Sequence, residues 1–84
     1  MTLDIKPGIT IFVKGRPHVV NDNKITYDQV VHLGYPHGKR GPLFEYEVTW
    51  KDGPKKDEEG TLSEGAVVAI VEGMKFYVTF TDKS

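Results

Sequence analysis

Only one stretch of this sequence reads as a helix, and it is too short to stand alone. From Tyr27 onward the apolar residues Tyr27, Val30 and Val31, with Gly34, keep i, i+3, i+4, i+7 spacing, and Leu33 widens that face. Thr26 is placed to cap the free amides, Gln29 completes a capping box three residues on, and Ile25 is placed to staple onto Val30. Gly34 is expected to take the left-handed C-cap conformation. Isolated helices below about 12 residues are marginal in water, so this one must pack against other elements.

Those other elements alternate with period 2. Ile9, Ile11 and Val13 share one face of a first strand, Lys14-Gly15 reads as a two-residue hairpin turn, and Arg16 to Val20 resumes an extended pattern. Pro17 cannot donate to a ladder, which makes this second strand an outer one. Leu43 to Lys51 alternates most clearly, with Phe44, Tyr46, Val48 and Trp50 facing inward and Glu45, Glu47 and Thr49 facing water. Asp52-Gly53-Pro54 turns the chain, Lys55 to Gly60 is a charged excursion, and Thr61-Leu62 is a short strand. Ala66 to Val71 is a further strand, Glu72-Gly73 is a tight turn, and Met74 to Thr81 alternates again, with Phe76, Val78 and Phe80 on one side and Tyr77, Thr79 and Thr81 on the other.

With 84 residues there is room for one hydrophobic core and no second domain. A hydrophobic share of 38% against 27% charged is an ordinary globular mixture. One helix available to cover one side of a mixed sheet points to an α+β fold of the β-grasp type, a four- to five-stranded mixed sheet wrapped on one helix. In that architecture the first and last strands lie side by side at the centre. A small five-stranded barrel is the competing architecture, and the well-signalled helix argues against it. The division expected is a leader at residues 1–8, the domain at 9–81 and a polar tail at 82–84.

Several function classes drop out. Without cysteine there is no disulfide, thiolate zinc site or catalytic thiol. Eleven basic against twelve acidic residues give a net charge of −1 with no block of either sign, so nothing supports nucleic-acid binding. No apolar run reaches the roughly 18 to 20 residues of a membrane span, and Met1 to Lys6 has no signal core, so a cytoplasmic protein is expected.

The pieces Phe12-Val13-Lys14-Gly15-Arg16, Ile25-Thr26-Tyr27-Asp28-Gln29-Val30-Val31, Tyr46-Glu47-Val48-Thr49-Trp50, Gly60-Thr61-Leu62-Ser63-Glu64-Gly65, Glu72-Gly73-Met74-Lys75-Phe76 and Thr81-Asp82-Lys83-Ser84 occur in an informative order. Together they resemble the bacterial ubiquitin-like proteins of the multiubiquitin type, over about nine tenths of the chain. The resemblance implies a protein modifier of a bacterial, antiphage ubiquitination-like pathway. Its partners would be an adenylating activating enzyme, a conjugating enzyme, a processing peptidase and target proteins. The modifier is a substrate in such chemistry, so no enzyme activity, cofactor or metal is expected of it. The conjugation tail would be Thr81, Asp82, Lys83 and Ser84. Ubiquitin ends in a diglycine that threads a narrow enzyme channel, whereas this stretch carries side chains, so either a peptidase trims it or dedicated enzymes accept it. A sulfur carrier would need the missing diglycine.

Phe12 and Tyr77 fall opposite the buried rows on the two strands expected at the centre, which makes them a candidate partner-binding face. The reading from a different class is a non-conjugated β-grasp domain that self-associates or scaffolds through that face or a strand edge. Three other constellations read as ordinary structure. His18, His32 and His37 fall on unrelated elements; Gly38-Lys39-Arg40-Gly41 follows a helix instead of opening one; and the row Phe44, Tyr46, Trp50 shares a face with core residues.

Overall fold

The computed structural model describes residues 8–82. Its elements are β1 (Ile9–Val13), β2 (Arg16–Val20), β3 (Lys24–Thr26), α1 (Tyr27–Gly34), β4 (Phe44–Lys51), β5 (Gly60–Leu62), β6 (Val67–Ala69) and β7 (Lys75–Asp82). Five strands form one sheet in the order β2-β1-β7-β4-β5, and β3 pairs with β6 in a separate two-stranded ribbon. β1 and β7 run parallel, while the β1–β2, β4–β7 and β4–β5 pairs are antiparallel. First and last strands are thus neighbours, β7 is central, and one helix lies on the sheet, which is the ubiquitin-like β-grasp architecture.

The β1–β2 hairpin follows from its turn. Lys14 and Gly15 both have positive φ, 54° and 79°, the handedness that matches the twist of the flanking strands. Val13 then pairs with Arg16 and Phe12 with Pro17, and Pro17 sits on the outermost strand. α1 starts as expected: the Thr26 hydroxyl accepts from the Gln29 amide at 3.2 Å, and the Gln29 side-chain oxygen accepts from the Thr26 amide at 2.9 Å.

Alternation sorts the faces. Ile11, Val13, Val48, Phe76 and Val78 are buried from the sheet, Val30 and Val31 from α1, and Ile25 and Val68 from the β3–β6 ribbon, in one core. Trp50 belongs to it too. Its indole ring lies across Gly60, where an added Cβ would come within 2.7 Å, and its Nε1–H donates to the Asp57 carbonyl at 2.9 Å.

Four expectations are corrected. Lys24–Thr26 is a strand paired with Val67–Ala69, where a polar turn running straight into the helix was expected; Thr26 ends the strand and caps the helix at once. Gly34 does not adopt positive φ. An added Cβ there would meet Val78 Cγ2 at 3.2 Å and Val13 Cγ1 at 3.4 Å, so what glycine provides is close approach of α1 to the sheet. Phe80 faces the helix side but is 37% exposed, its ring within 5.1 Å of Tyr46 and 5.9 Å of Phe44, centre to centre. Finally, β7 continues to Asp82, one residue into the stretch expected to be tail. The expected leader lies outside the described residues, except for Gly8, which precedes β1.

Candidate functional site

Side chains directly opposite one another in a ladder share a face. The outer face of the sheet, turned away from α1, therefore reads in rungs along β7 and β4: Lys75 beside Lys51, Tyr77 beside Thr49, Thr79 beside Glu47, and Thr81 beside Glu45. On the other side of β7, Phe12 stands next to Lys75. Phe12 and Tyr77 are accordingly brought together, as alternation predicted. Phe12 is half-buried and Tyr77 is 45% exposed, and with Gly15 and Lys75 they line a shallow depression of about 220 Å³.

Lys75 is held in place. Its Nζ donates to Asp52 Oδ2 at 2.6 Å. The hydrogen bond and the charge of Lys75 together hold the Asp52 carboxyl below the usual carboxylate range, and Asp52 in turn raises the Lys75 ammonium above the usual lysine range. Asp52 takes a positive φ of 57° at the end of β4, which aims its carboxylate back at β7. No sequence signal for this contact exists beyond the register itself.

The expected conjugation tail is partly tied down. Pairing between β1 and β7 ends at Val13 and Phe76, but β7 stays paired with β4 through Thr81 opposite Glu45 and Asp82 opposite Phe44. Both Thr81 and Asp82 are exposed. Lys83 and Ser84 lie outside the described residues.

At the opposite edge of this two-stranded extension, β5 covers β4 only from Val48 onward. Below that point the Tyr27 hydroxyl donates to the Tyr46 carbonyl at 2.6 Å, and the Phe44 amide donates to the Gly41 carbonyl at 3.1 Å. Burial is the main reason the Tyr27 phenol is raised above its ordinary value, followed by the charge of Glu64. An open polar cleft of about 600 Å³ lies here, between Tyr27, Asp28 and Glu64 and the loop after α1.

That loop is fastened to aromatic rings instead of presenting an anion cradle. The Arg40 guanidinium lies 5.4 Å from the Tyr46 ring centre and 3.6 Å from Asp28, Lys39 Nζ lies 5.7 Å from the Phe44 ring, and the Lys39 carbonyl accepts from the Tyr46 hydroxyl. His18 sits on β2, His32 on α1 and His37 in the loop, and among the described residues no three His, Asp or Glu side chains gather as a metal site. No helix among the described residues is long and apolar enough to cross a membrane.

No curated protein and no solved structure matches the sequence. The model of one protein family, multiubiquitin, matches residues 9–82, from the first residue of β1 to the last of β7. That match spans nearly the whole chain and agrees with the strand order, so the chain belongs to the multiubiquitin family.

Proposed function

We propose that this chain is a ubiquitin-like protein modifier of a bacterial antiphage pathway, acting in the cytoplasm and joined to targets through the stretch Thr81 to Ser84. The supporting observation is the family match over residues 9–82 on a β-grasp fold whose central strand emerges at the exposed Asp82. Where a processing peptidase trims the tail, it cleaves a peptide bond there with water and leaves a carboxylate; otherwise dedicated enzymes take the tail with its side chains. A carboxylate oxygen attacks the α-phosphorus of ATP in the adenylating enzyme, and pyrophosphate leaves. An enzyme nucleophile attacks the acyl carbon and AMP leaves; the target's amine or hydroxyl then attacks, releasing that nucleophile. Every catalytic group belongs to the partners.

Phe12 and Tyr77 would dock those enzymes. Because Thr81 and Asp82 pair with β4, an enzyme that takes this stretch into a narrow channel must first unzip it, and strand ends open at little cost. Incubation with the activating and conjugating enzymes, the peptidase and ATP, read by intact mass, tests the proposal. A trimmed chain or an enzyme-linked adduct supports it. An unchanged mass beside enzymes shown to be active would replace it with the non-conjugated interaction domain.

A further inference from the structure

Two opposite charges of the outer sheet face, Lys51 and Glu47, stand evenly about one rung. Counting rungs, Lys51 lies two residues to one side of the Tyr77–Thr49 rung and Glu47 two residues to the other. Both are exposed, and neither forms an ion pair among the described residues, the charge of Lys51 acting only at longer range on the neighbouring Asp52. At roughly 3.3 Å per residue they stand about 13 Å apart on the same strand, too far to pair with each other.

A second copy resolves this. Let two such faces meet, related by a two-fold axis that lies between them and parallel to the rungs through Tyr77 and Thr49. Strand directions reverse, β4 faces β4, and each Lys51 comes over the partner copy's Glu47, giving two identical contacts. Aligned sheets pack about 10 Å apart with their strands some 30° askew, a gap that long Lys and Glu side chains bridge. Tyr77, 45% exposed on the central strand, lies at the axis against its own symmetry mate, with the half-buried Phe12 alongside. The opposite face of the sheet is already covered by α1 and the core.

We infer that the outer face bearing Lys51, Tyr77 and Glu47 is self-complementary and pairs two copies of this chain face to face. This shares its surface with the proposed enzyme docking, so an enzyme bound there competes with the second copy. It does not depend on the chemistry of the tail.

Sedimentation of the full chain alone from about 10 μM to 1 mM tests it, with no enzyme present, so its outcome is separate from that of the conjugation assay. The expected result is a concentration-dependent dimer that weakens as salt screens the pairs. Lys51→Glu and Glu47→Lys should each weaken the dimer about tenfold, since two attractive contacts per dimer become repulsive. Mixing the two variants, or combining both changes in one chain, should restore it. Both sites are exposed, so the variants should keep the wild-type circular dichroism spectrum. A wild-type chain still monomeric at 1 mM, or a mixture of the two variants that associates no better than either alone, overturns the inference.

Discussion

The Tyr27 hydroxyl at the start of α1 donates to the Tyr46 carbonyl in β4 at 2.6 Å, at the sheet edge where β5 has yet to begin. Without it the buried Tyr46 carbonyl loses a donor at a point of the edge that β5 does not reach. Tyr27→Phe leaves that acceptor unmet and should cost about 1–3 kcal/mol in urea unfolding. A loss under about 0.3 kcal/mol would show that water replaces the bond.

The same phenol makes an alkaline prediction. Burial raises its folded pKa above the unfolded value of about 10.0, so its contribution to stability is complete below that value and is lost as pH rises through the folded pKa. Unfolding midpoints should therefore fall above about pH 10, and Tyr27→Phe should remove part of that fall. An identical alkaline limb in the variant would place the sensitivity elsewhere.

Asp52 and Lys75 join the ends of β4 and β7 in the open. Asp52, depressed below its ordinary carboxyl value of 3.8, contributes stability above that value and loses it as pH falls through its folded pKa. Lys75, raised above 10.5, contributes below that value and loses it as pH rises through its own. A carbon-detected NMR titration should find Asp52 titrating below 3.8, and Lys75→Met should return it there. Titration of wild-type Asp52 at the ordinary value would mean that solvent separates the pair.

Trp50 is the single tryptophan, so its fluorescence reports one place. Gly60→Ala puts a methyl within 2.7 Å of the indole and must push the ring off its seat. The expected outcome is a loss of about 1–3 kcal/mol with a red-shifted emission as the ring meets water. Unchanged emission would contradict the tight seat.

Amide exchange should quicken along β7. Tyr77 lies deep in the β4 ladder, whereas Thr81 is near its end, so Thr81 should exchange far faster than Tyr77. Equal protection at both would make the tail too firmly held for an enzyme to unzip at low cost.

Much of this fold is readable in the sequence because local signals agree with one another. The alternation of Phe44 to Lys51, the Thr26–Gln29 box and the Lys14-Gly15 turn each name their element without tertiary help. Gly34 misleads because glycine serves both left-handed caps and close packing, and only the position of Val78 distinguishes them. Lys24–Thr26 is hidden for a different reason: three residues carry too little periodicity, and Thr26 also caps the helix. The neighbourhood of Phe12 and Tyr77 follows from alternation plus strand order. The Asp52–Lys75 pair and the symmetric spacing of Lys51 and Glu47 about Tyr77 depend on register between strands far apart in the chain, which no local pattern encodes.

The most direct test of the modifier reading is to fragment the conjugate formed with ATP and the partner enzymes and identify the residue whose carbonyl carries the new bond. The expected result is a linkage through a single carbonyl between Thr81 and Ser84, absent when ATP is withheld. A linkage outside that stretch, or no linkage from enzymes active in ATP–pyrophosphate exchange, would contradict it.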